Sequence, residues 1–583
     1  MSSTPTVSHR TPAIEPPVCG PPTRFERGTL RRVGGVRVLN VAGSFYEMGR
    51  QHGALLKDEI GRGPIPYYRR FVQRLFGAGQ LGALGPLAVD ALQHTVGSRV
   101  ARKMPAFATD TIRGLADGAG MPYASLLEGC TMPDTLLWLA ARMMQIKGPG
   151  PAVAHRLSLG LGCTSAIAWG DATRDGKLYH ARNLDYHGVG CWPSTQTVII
   201  HEPEGGQRYL SVAAAGVALG GVTAMNEAGL SLTVHQHMFT DRARLGGVPI
   251  GTVGDEVMRK ARTLDEAEKI LRAHQPIGCW TYLVADGKSK DVLAFEQNPD
   301  RMVAIRSNEG EHTFGYANIY LDRELGDTEV DLYGSYWRHN HGRHVRANAL
   351  LRERHGDLDA AGMAAIIGHT GDARCRVRDS IAMVLTVGSV VFRPEDGAAW
   401  VGDGEAPTSH GTFLPFDLRA GGYAPELGAF DGARERDPAA LRAFEQFRLA
   451  YVAYTDDGDL TRARAALSLA CELQPREALY HAALGLLSLN DGDTHAAHQK
   501  LGEAIALGHP DEERVAAMHL WRGRALDVLG RRHDATRDYR RVLSLKADPP
   551  VRAAALRDLT KPYAAKRAKK VHVDLALVDV VSP

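Results

Sequence analysis

No uninterrupted apolar run of about 20 residues occurs in the 583-residue chain, so no membrane-spanning helix is expected. The first 28 residues, MSSTPTVSHRTPAIEPPVCGPPTRFERG, also lack the apolar stretch of a secretory signal. Rich in Pro, Ser and Thr, they read as a disordered lead-in. With neither feature, the expected location is cytoplasmic. An excess of one charge is missing too: 69 Lys and Arg against 66 Asp and Glu leave a net charge of +3, too small to imply nucleic acid as a partner. Cysteine is sparse. The seven thiols (Cys19, Cys130, Cys163, Cys191, Cys279, Cys375, Cys471) are odd in number and form no CxxC pair, which excludes the patterns of a disulfide framework or a zinc site.

What is present is length and periodicity. A chain this long exceeds what one core of about 250 to 300 residues usually holds, so at least two folded units are expected. LRRVGGVRVLNVAGSF alternates as strands do, and YEMGRQHGALLKDEI then switches to helical spacing. Residues 66–146 read mostly as helices. After Cys163 the text becomes short strands separated by turns (TSAIAWG, KLYHARNLD, TQTVIIHEP, RYLSVAAAG, GVTAMNEAGLSLTVHQ), then two helical runs, then strands around AMVLTVGSVVFRP and AAWVGDG. That order predicts packed sheets flanked by helices.

From about Asp437 the pattern is helical and repeats. Ala463 and Ala497 are 34 residues apart, and Ala535 follows 38 later. This period, with small residues at Ala483-Leu484-Gly485 and Arg522-Gly523 and closing prolines, resembles the tetratricopeptide repeat; an unrelated helical bundle is the alternative. The segment after residue 560, beginning KPYAAKRAKK, reads as a solvated basic tail.

The chemistry concentrates in LGLGCTSAIAWG. A cysteine attacks carbonyls as thiolate and needs a base, yet no histidine adjoins Cys163 in sequence. A distant histidine folding back is one solution. Another is cleavage between Gly162 and Cys163, which would free an α-amino group of ordinary pKa about 7.7 to 8.0 to take the thiol proton.

GCTSAIAWG followed by DGKLYHARNLDY resembles the acyl-coenzyme A:6-aminopenicillanate acyltransferase family, with cholylglycine hydrolase-like amidases as more distant relatives. YEMGRQHGALL, MNEAGLSL, YANIYL and TVGSVVFRPEDGAAWVGDGEAP match further elements in the same order, over roughly residues 29 to 420. The resemblance implies a four-layer αββα N-terminal-nucleophile hydrolase fold over residues 29–425, cut between Gly162 and Cys163. An all-α helical-repeat domain over residues 437–560 and the tail, residues 561–583, complete the expected organisation. It further implies Cys163 as nucleophile, Asp185 positioning the α-ammonium, Arg182 stabilising negative charge near the thiolate, and Asn318 as an oxyanion donor. Arg182 and Asp185 are three apart and would not share a face of a regular strand, so a bend or bulge is expected. The competing reading of that pair is a surface ion pair, and of Asn318 a strand-end residue. Asn226 is a further substrate-binding or oxyanion candidate, although it lies in good turn chemistry. His235 or Gln236, in TVHQH, is the candidate second oxyanion donor, while Ser335 and Arg338 are candidate substrate contacts.

The resemblance implies a small-molecule acyl amide or thioester as substrate. No cofactor is called for, acyl-coenzyme A entering only as a substrate, and the repeats suggest a protein or peptide ligand. Water and an amine remain open as acyl acceptors. Two other readings stand beside this one: a catalytically degenerate scaffold using its repeats, and a phospholipase B-like lipid hydrolase on the same fold. His235 and His237 with His339, His341 and His344 raise a metal site, but no Glu or Cys lies beside them at ligand spacing, and none is expected. Cys191 follows a glycine too, without the ARNLD sequel; Cys130, Cys279, Cys375 and Cys471 read as small buried residues.

Overall fold

The computed structural model describes residues 20–76, 85–146, 162–237, 240–308, 310–330, 334–370, 380–435, 437–580 and 583. Cys19, Cys375 and most of the expected lead-in lie outside the described residues. The chain enters the fold earlier than residue 29: Thr23–Phe25 (β1) already pairs antiparallel with Gly28–Val33 (β2), and the Arg50 guanidinium covers the Phe25 ring.

Two sheets form the body. The ten-stranded sheet continues from β2 through Val36–Gly43 (β3), Gln196–Pro203 (β6), Tyr209–Ala214 (β7), Thr223–Asn226 (β8), Leu230–Gln236 (β9), Trp280–Asp286 (β10), Asp291–Asn298 (β11) and Arg301–Arg306 (β12). The second sheet is ordered Thr313–Tyr316 (β13), Gly162–Gly170 (β4), Gly176–Asp185 (β5), Thr386–Arg393 (β14), Ala398–Asp403 (β15), Thr412–Asp417 (β16) and Gly422–Tyr423 (β17), with Phe430–Asp431 (β18) beside β16.

Alternation along each strand assigns its two faces. Val38, Val198, Ile200 and Val212 of the first sheet meet Val390, Phe392, Val401 and Leu414 of the second, forming a core between the sheets. The intervening Leu39, Val41 and Ile199 instead pack on helices, chiefly Phe45–Leu55 (α1) and Ala106–Ala119 (α3), which follows Pro64–Phe76 (α2). Tyr123–Met144 (α4), Ile250–Lys260 (α5) and Leu264–Arg272 (α6) add further cover. On the second sheet Ala166, Ala168, Ala181 and Val391 pack under Gly334–Glu353 (α7) and Ala360–Ile367 (α8). The glycines of YEMGRQHGALL serve close approach: a Cβ on Gly49 or Gly53 would strike the backbone of α3, and one on Gly114 or Gly118 would strike α1.

The C-terminal region is helical as expected: Pro438–Tyr451 (α9), Leu460–Leu473 (α10), Ala478–Asp491 (α11), Thr494–Leu507 (α12), Glu512–Val528 (α13), Arg532–Ser544 (α14) and Pro549–Thr560 (α15). Ala463, Ala497 and Ala535 are fully buried in α10, α12 and α14. A Cβ at Gly485 would come within 2.8 Å of Leu501, and one at Gly523 within 2.7 Å of Tyr539, so small residues set the helix spacing. The solvated tail needs correction. Lys566, Arg567, Lys569 and Lys570 are exposed, but Val573, Leu575, Ala576, Leu577, Val578 and Val580 are buried. The short strands Val573–Asp574 (β19) and Asp579–Val580 (β20) pair there. The basic run concealed an apolar segment, VDLALVDV, with a core to join.

Candidate functional site

Cys163 is the second residue of β4, and parity decides what surrounds it. Ser165, Ile167 and Trp169 share its face toward the first sheet, while Thr164, Ala166 and Ala168 point to the helices. Antiparallel pairing places Cys163 opposite Leu184 and Ser165 opposite Arg182. Arg182 is therefore a diagonal neighbour of the cysteine on the inter-sheet face. Its Nη2 donates to Cys163 Sγ at 3.3 Å and to the Val234 carbonyl at 2.9 Å, and its Nη1 donates to Thr223.

Asp185 takes the other face. The expected bend in β5 is absent: residues 182–185 pair regularly with 162–165, and Arg182 and Asp185 obey strand alternation. Both still reach the cysteine because it sits at the strand's beginning, where the thiol projects to one face and the Gly162 side of the chain lies against the other. The irregularity is in the partner strand, between Thr386 and Gly388 of β14, and the Thr386 hydroxyl donates to Asp185 Oδ1 at 2.6 Å. Asp185 Oδ2 is buried without a hydrogen-bond partner.

Two further groups hold the cysteine backbone. Asn318, just after β13, accepts the Cys163 N–H on Oδ1 at 2.6 Å and donates from Nδ2 to the Gln236 carbonyl at 2.8 Å. Arg343 of α7 donates to the Cys163 carbonyl at 2.6 Å, to Thr164 Oγ1 at 2.7 Å and to Asn318 Oδ1 at 3.0 Å. It lies 3.9 Å from Asp185, with both side chains wholly buried. A Cβ on Gly162 would sit 2.9 Å from Arg343 Nη2 and 3.2 Å from Asp185 Oδ2; glycine leaves this corner free for the two charged groups.

The electrostatics follow from those contacts. Burial pushes the Cys163 thiol above its ordinary value, and the Arg182 charge is the strongest effect opposing it. Burial likewise raises Asp185, against the pull of Arg343. Arg343 is matched by Asp185, whereas the acceptors of Arg182 are a hydroxyl, a carbonyl and the thiol. Arg182 is thus the cation that a thiolate at Cys163 would balance.

The thiol opens into a cavity of about 170 Å³. Arg182, Thr223 and Gln236 reach it from the strands and Asn318 from just after β13; the rest of its wall is mainly apolar, including Ile65, Tyr68, Leu184, Val212, Ala218 and Trp280. A small polar set at one end and apolar walls elsewhere is the usual form of a small-molecule site.

The other expected residues separate by location. Gln236 lines the cavity, whereas His235 lies between the sheets, bonded to Ser165 at 3.0 Å and held well below the usual imidazole range by burial. Asn226 is engaged locally: it accepts from Leu230 N–H and donates to the Met258 and Ala261 carbonyls. Ser335 and Arg338 turn away from the cavity, donating to Asp579 and Asp548. The helix residue at the cysteine is Arg343, which sequence reasoning missed in favour of Arg338. A signal was available: Tyr336, His339, Asn340, Arg343, Ala347 and Leu350 form the buried stripe of α7, so Arg343 is the cation on the apolar face.

The histidines find other partners. His237 pairs with Glu329 and Thr281, and His339 with the Ser380 carbonyl. Among the described residues no three His, Cys, Asp or Glu side chains are grouped to hold a metal, and no helix is long and apolar enough to cross a membrane. Cys191 packs among Tyr67, Tyr68, Phe71 and Met132. Cys130 borders the cavity, its thiol pushed up to about 12 by burial.

A family model described as acyl-coenzyme A:6-aminopenicillanic acid acyl-transferase matches residues 172–356. The match begins after Cys163 and includes Arg182, Asp185, Asn318 and Arg343. Among curated proteins, the chain is similar to an uncharacterized protein of Archaeoglobus fulgidus, 25% identical over 272 residues, covering 46% of this chain and 44% of that protein. It is also similar to protein dcd1B of Dictyostelium discoideum, 24% identical over 181 residues, covering 29% and 31%. A third similarity is to the tetracenomycin polyketide synthase ketoacyl synthase beta subunit of Streptomyces glaucescens, 33% identical over 108 residues, covering 17% and 25%. The chain spans less than half the length of each of these relatives.

Proposed function

We propose that the chain is a self-processing cysteine enzyme of the N-terminal-nucleophile type, an acyltransferase or amidohydrolase acting on an amide or thioester through an acyl-cysteine intermediate. In this reading the paired sheets and their helices are an αββα hydrolase fold, and the C-terminal helices are tetratricopeptide-like repeats. The observation that carries it is the environment of one residue. Cys163 presents its thiol to a buried arginine and an apolar cavity, while its backbone nitrogen is held by Asn318, on the side where one Asp185 oxygen accepts no hydrogen bond.

Maturation begins when Cys163 Sγ attacks the Gly162 carbonyl carbon. The C–S bond forms, the peptide C–N bond breaks, and the departing nitrogen takes up a proton. Water then hydrolyses the thioester, leaving a carboxylate on Gly162 and a free thiol and α-amine on Cys163. In the matured enzyme the α-amine takes the thiol proton and returns it to the leaving group of the substrate. Asp185 Oδ2 and Asn318 Oδ1 accept from the resulting α-ammonium, and Arg182 stabilises the thiolate. Gln236 is the cavity-lining candidate for a further contact to the acyl carbonyl. The cavity walls select an apolar acyl group, and acyl-coenzyme A is a thioester of the required kind. The acyl-cysteine is discharged to water or to an amine.

The test is intact mass and N-terminal sequencing of purified protein. Fragments of 162 and 421 residues are expected, together with a single uncut and inactive chain for Cys163→Ala. A full-length chain that is equally active would overturn the reading. Assays of the matured protein on N-acyl amides and acyl thioesters, with and without amine acceptors, separate transfer from hydrolysis.

A further inference from the structure

The C-terminal segment is built into the catalytic half of the molecule. VDLALVDV spans Val573–Val580, and its apolar side chains share one core cluster with α11 residues Leu479, Tyr480, Leu484 and Leu487 and with Met383 and Val384 of the catalytic half. Polar contacts hold it as well: Tyr454 accepts the Val573 N–H at 3.3 Å, and Arg514 donates to the Val578 carbonyl at 3.2 Å. Just before it, Asn490 donates to the Val571 carbonyl at 2.9 Å. Val578 has φ of 49°, a left-handed conformation that a β-branched residue keeps only where its surroundings over-determine it.

This segment meets the catalytic half at the first turn of α7. Asp579 accepts from Ser335, and Asp548, at the start of α15, accepts from Arg338. A Cβ on Gly334 would collide with the Asp548 carboxylate, so the acid lies directly against the helix start. Two carboxylates there also complement the helix dipole. Arg343 lies on the same helix, about 12 Å along its axis from Ser335 at 1.5 Å per residue. Its guanidinium contacts the Cys163 carbonyl, Thr164 and Asn318 and faces Asp185. A helix is stiff over this length, so displacement of its first turn is delivered to Arg343.

We propose that Val573–Val580 is a positioning element of the cysteine site: through Asp579 on Ser335, assisted by Asp548 on Arg338, it sets the placement of α7 and thereby of Arg343. The helical region then acts on catalysis from inside the molecule, with the chain's own terminal segment as its occupant. The activity consequence rests on the cysteine mechanism above; the structural consequence does not.

The test uses the full chain with Asp579→Ala, Asp579→Asn, and a protease site inserted at the exposed Lys569-Lys570, so that the segment can be cut free from folded protein. Asp579→Ala is expected to raise hydrogen exchange in residues 336–347 while exchange in α1 and α3 stays unchanged. It should lower kcat about tenfold with KM within about twofold. Asp579→Asn keeps an acceptor for Ser335 and should restore both. Cutting at the inserted site should reproduce the loss, and a synthetic peptide of residues 571–583 should reverse it. Unchanged exchange in α7 after substitution or cutting overturns the proposal. So does a rise in KM at constant kcat, which would mark the segment as a substrate contact. If matured wild type, cut between Gly162 and Cys163, lacks acyl activity, the cysteine mechanism fails while the exchange experiment still reports on the segment.

Discussion

Arg343 and Asp185 face each other at 3.9 Å with neither side chain reached by solvent, on two elements that the chain separates by more than 150 residues. Removing one member leaves an uncompensated buried charge, which typically costs about 3–5 kcal/mol. Arg343→Met is therefore expected to destabilise the fold by about that amount and to lower maturation and turnover at least about 100-fold. Adding Asp185→Asn to Arg343→Met should recover much of the stability but none of the activity. A double-mutant cycle by urea denaturation measures the coupling; additive stability losses would show that the two charges do not interact.

Gly162 occupies the corner between those charges. Gly162→Ala places a Cβ 2.9 Å from Arg343 Nη2 and 3.2 Å from Asp185 Oδ2, forcing one of them to move. Self-cleavage should slow at least about tenfold, since misplacement of reacting groups is amplified in rate. Mass spectrometry of freshly purified protein against time gives that rate directly.

Asp134 of α4 holds the backbone of Ile250, which lines the cavity. It accepts the Ile250 N–H at 3.2 Å, and burial pushes its carboxyl up to about 7. The folded state thus holds a proton that the unfolded chain releases near pH 4. Its contribution to stability is fully present below that pH and is lost as pH rises through about 7. Asp134→Asn keeps an acceptor and cannot ionise. Relative to wild type, the variant should gain stability progressively from pH 4 to pH 8, by about 4 kcal/mol at most. Melting temperatures of the pair across that range check the sign; parallel curves would contradict it.

In the proposed reaction the cavity wall sets a size limit on the acyl group. Ala218 lines it and is buried, so Ala218→Phe should occupy much of the space. KM for a long apolar acyl substrate is expected to rise at least about tenfold while that for an acetyl or propionyl analogue changes little. An equal rise for all chain lengths would place the acyl group elsewhere.

Local physics made part of this site legible in the chain. GCTSAIAWG and KLYHARNLD are neighbouring strands of one hairpin, so alternation and antiparallel pairing suffice to put Arg182 beside Cys163 and Asp185 across the strand. The expectation of a bend between them failed because it required both side chains on one face; a cysteine at a strand end is reached from both. The short strand motif singled out Asn318, which lies beside Cys163, but not its orientation: Oδ1 accepts the Cys163 N–H rather than presenting a donor.

By itself, the sequence determined the glycine-cysteine junction, the order of strands and helices, the small residues between paired helices, and the parity of Arg182 and Asp185, because these depend on neighbours in the chain. Tertiary structure alone decided that Arg343 rather than Arg338 reaches the cysteine, that Ser335 and Arg338 contact Asp579 and Asp548 instead, and that VDLALVDV is buried. Each depends on which distant surfaces exclude water together, and 180 residues separate Arg343 from the cysteine carbonyl it holds. Periodicity specifies the face a residue occupies; only long-range packing specifies what that face meets.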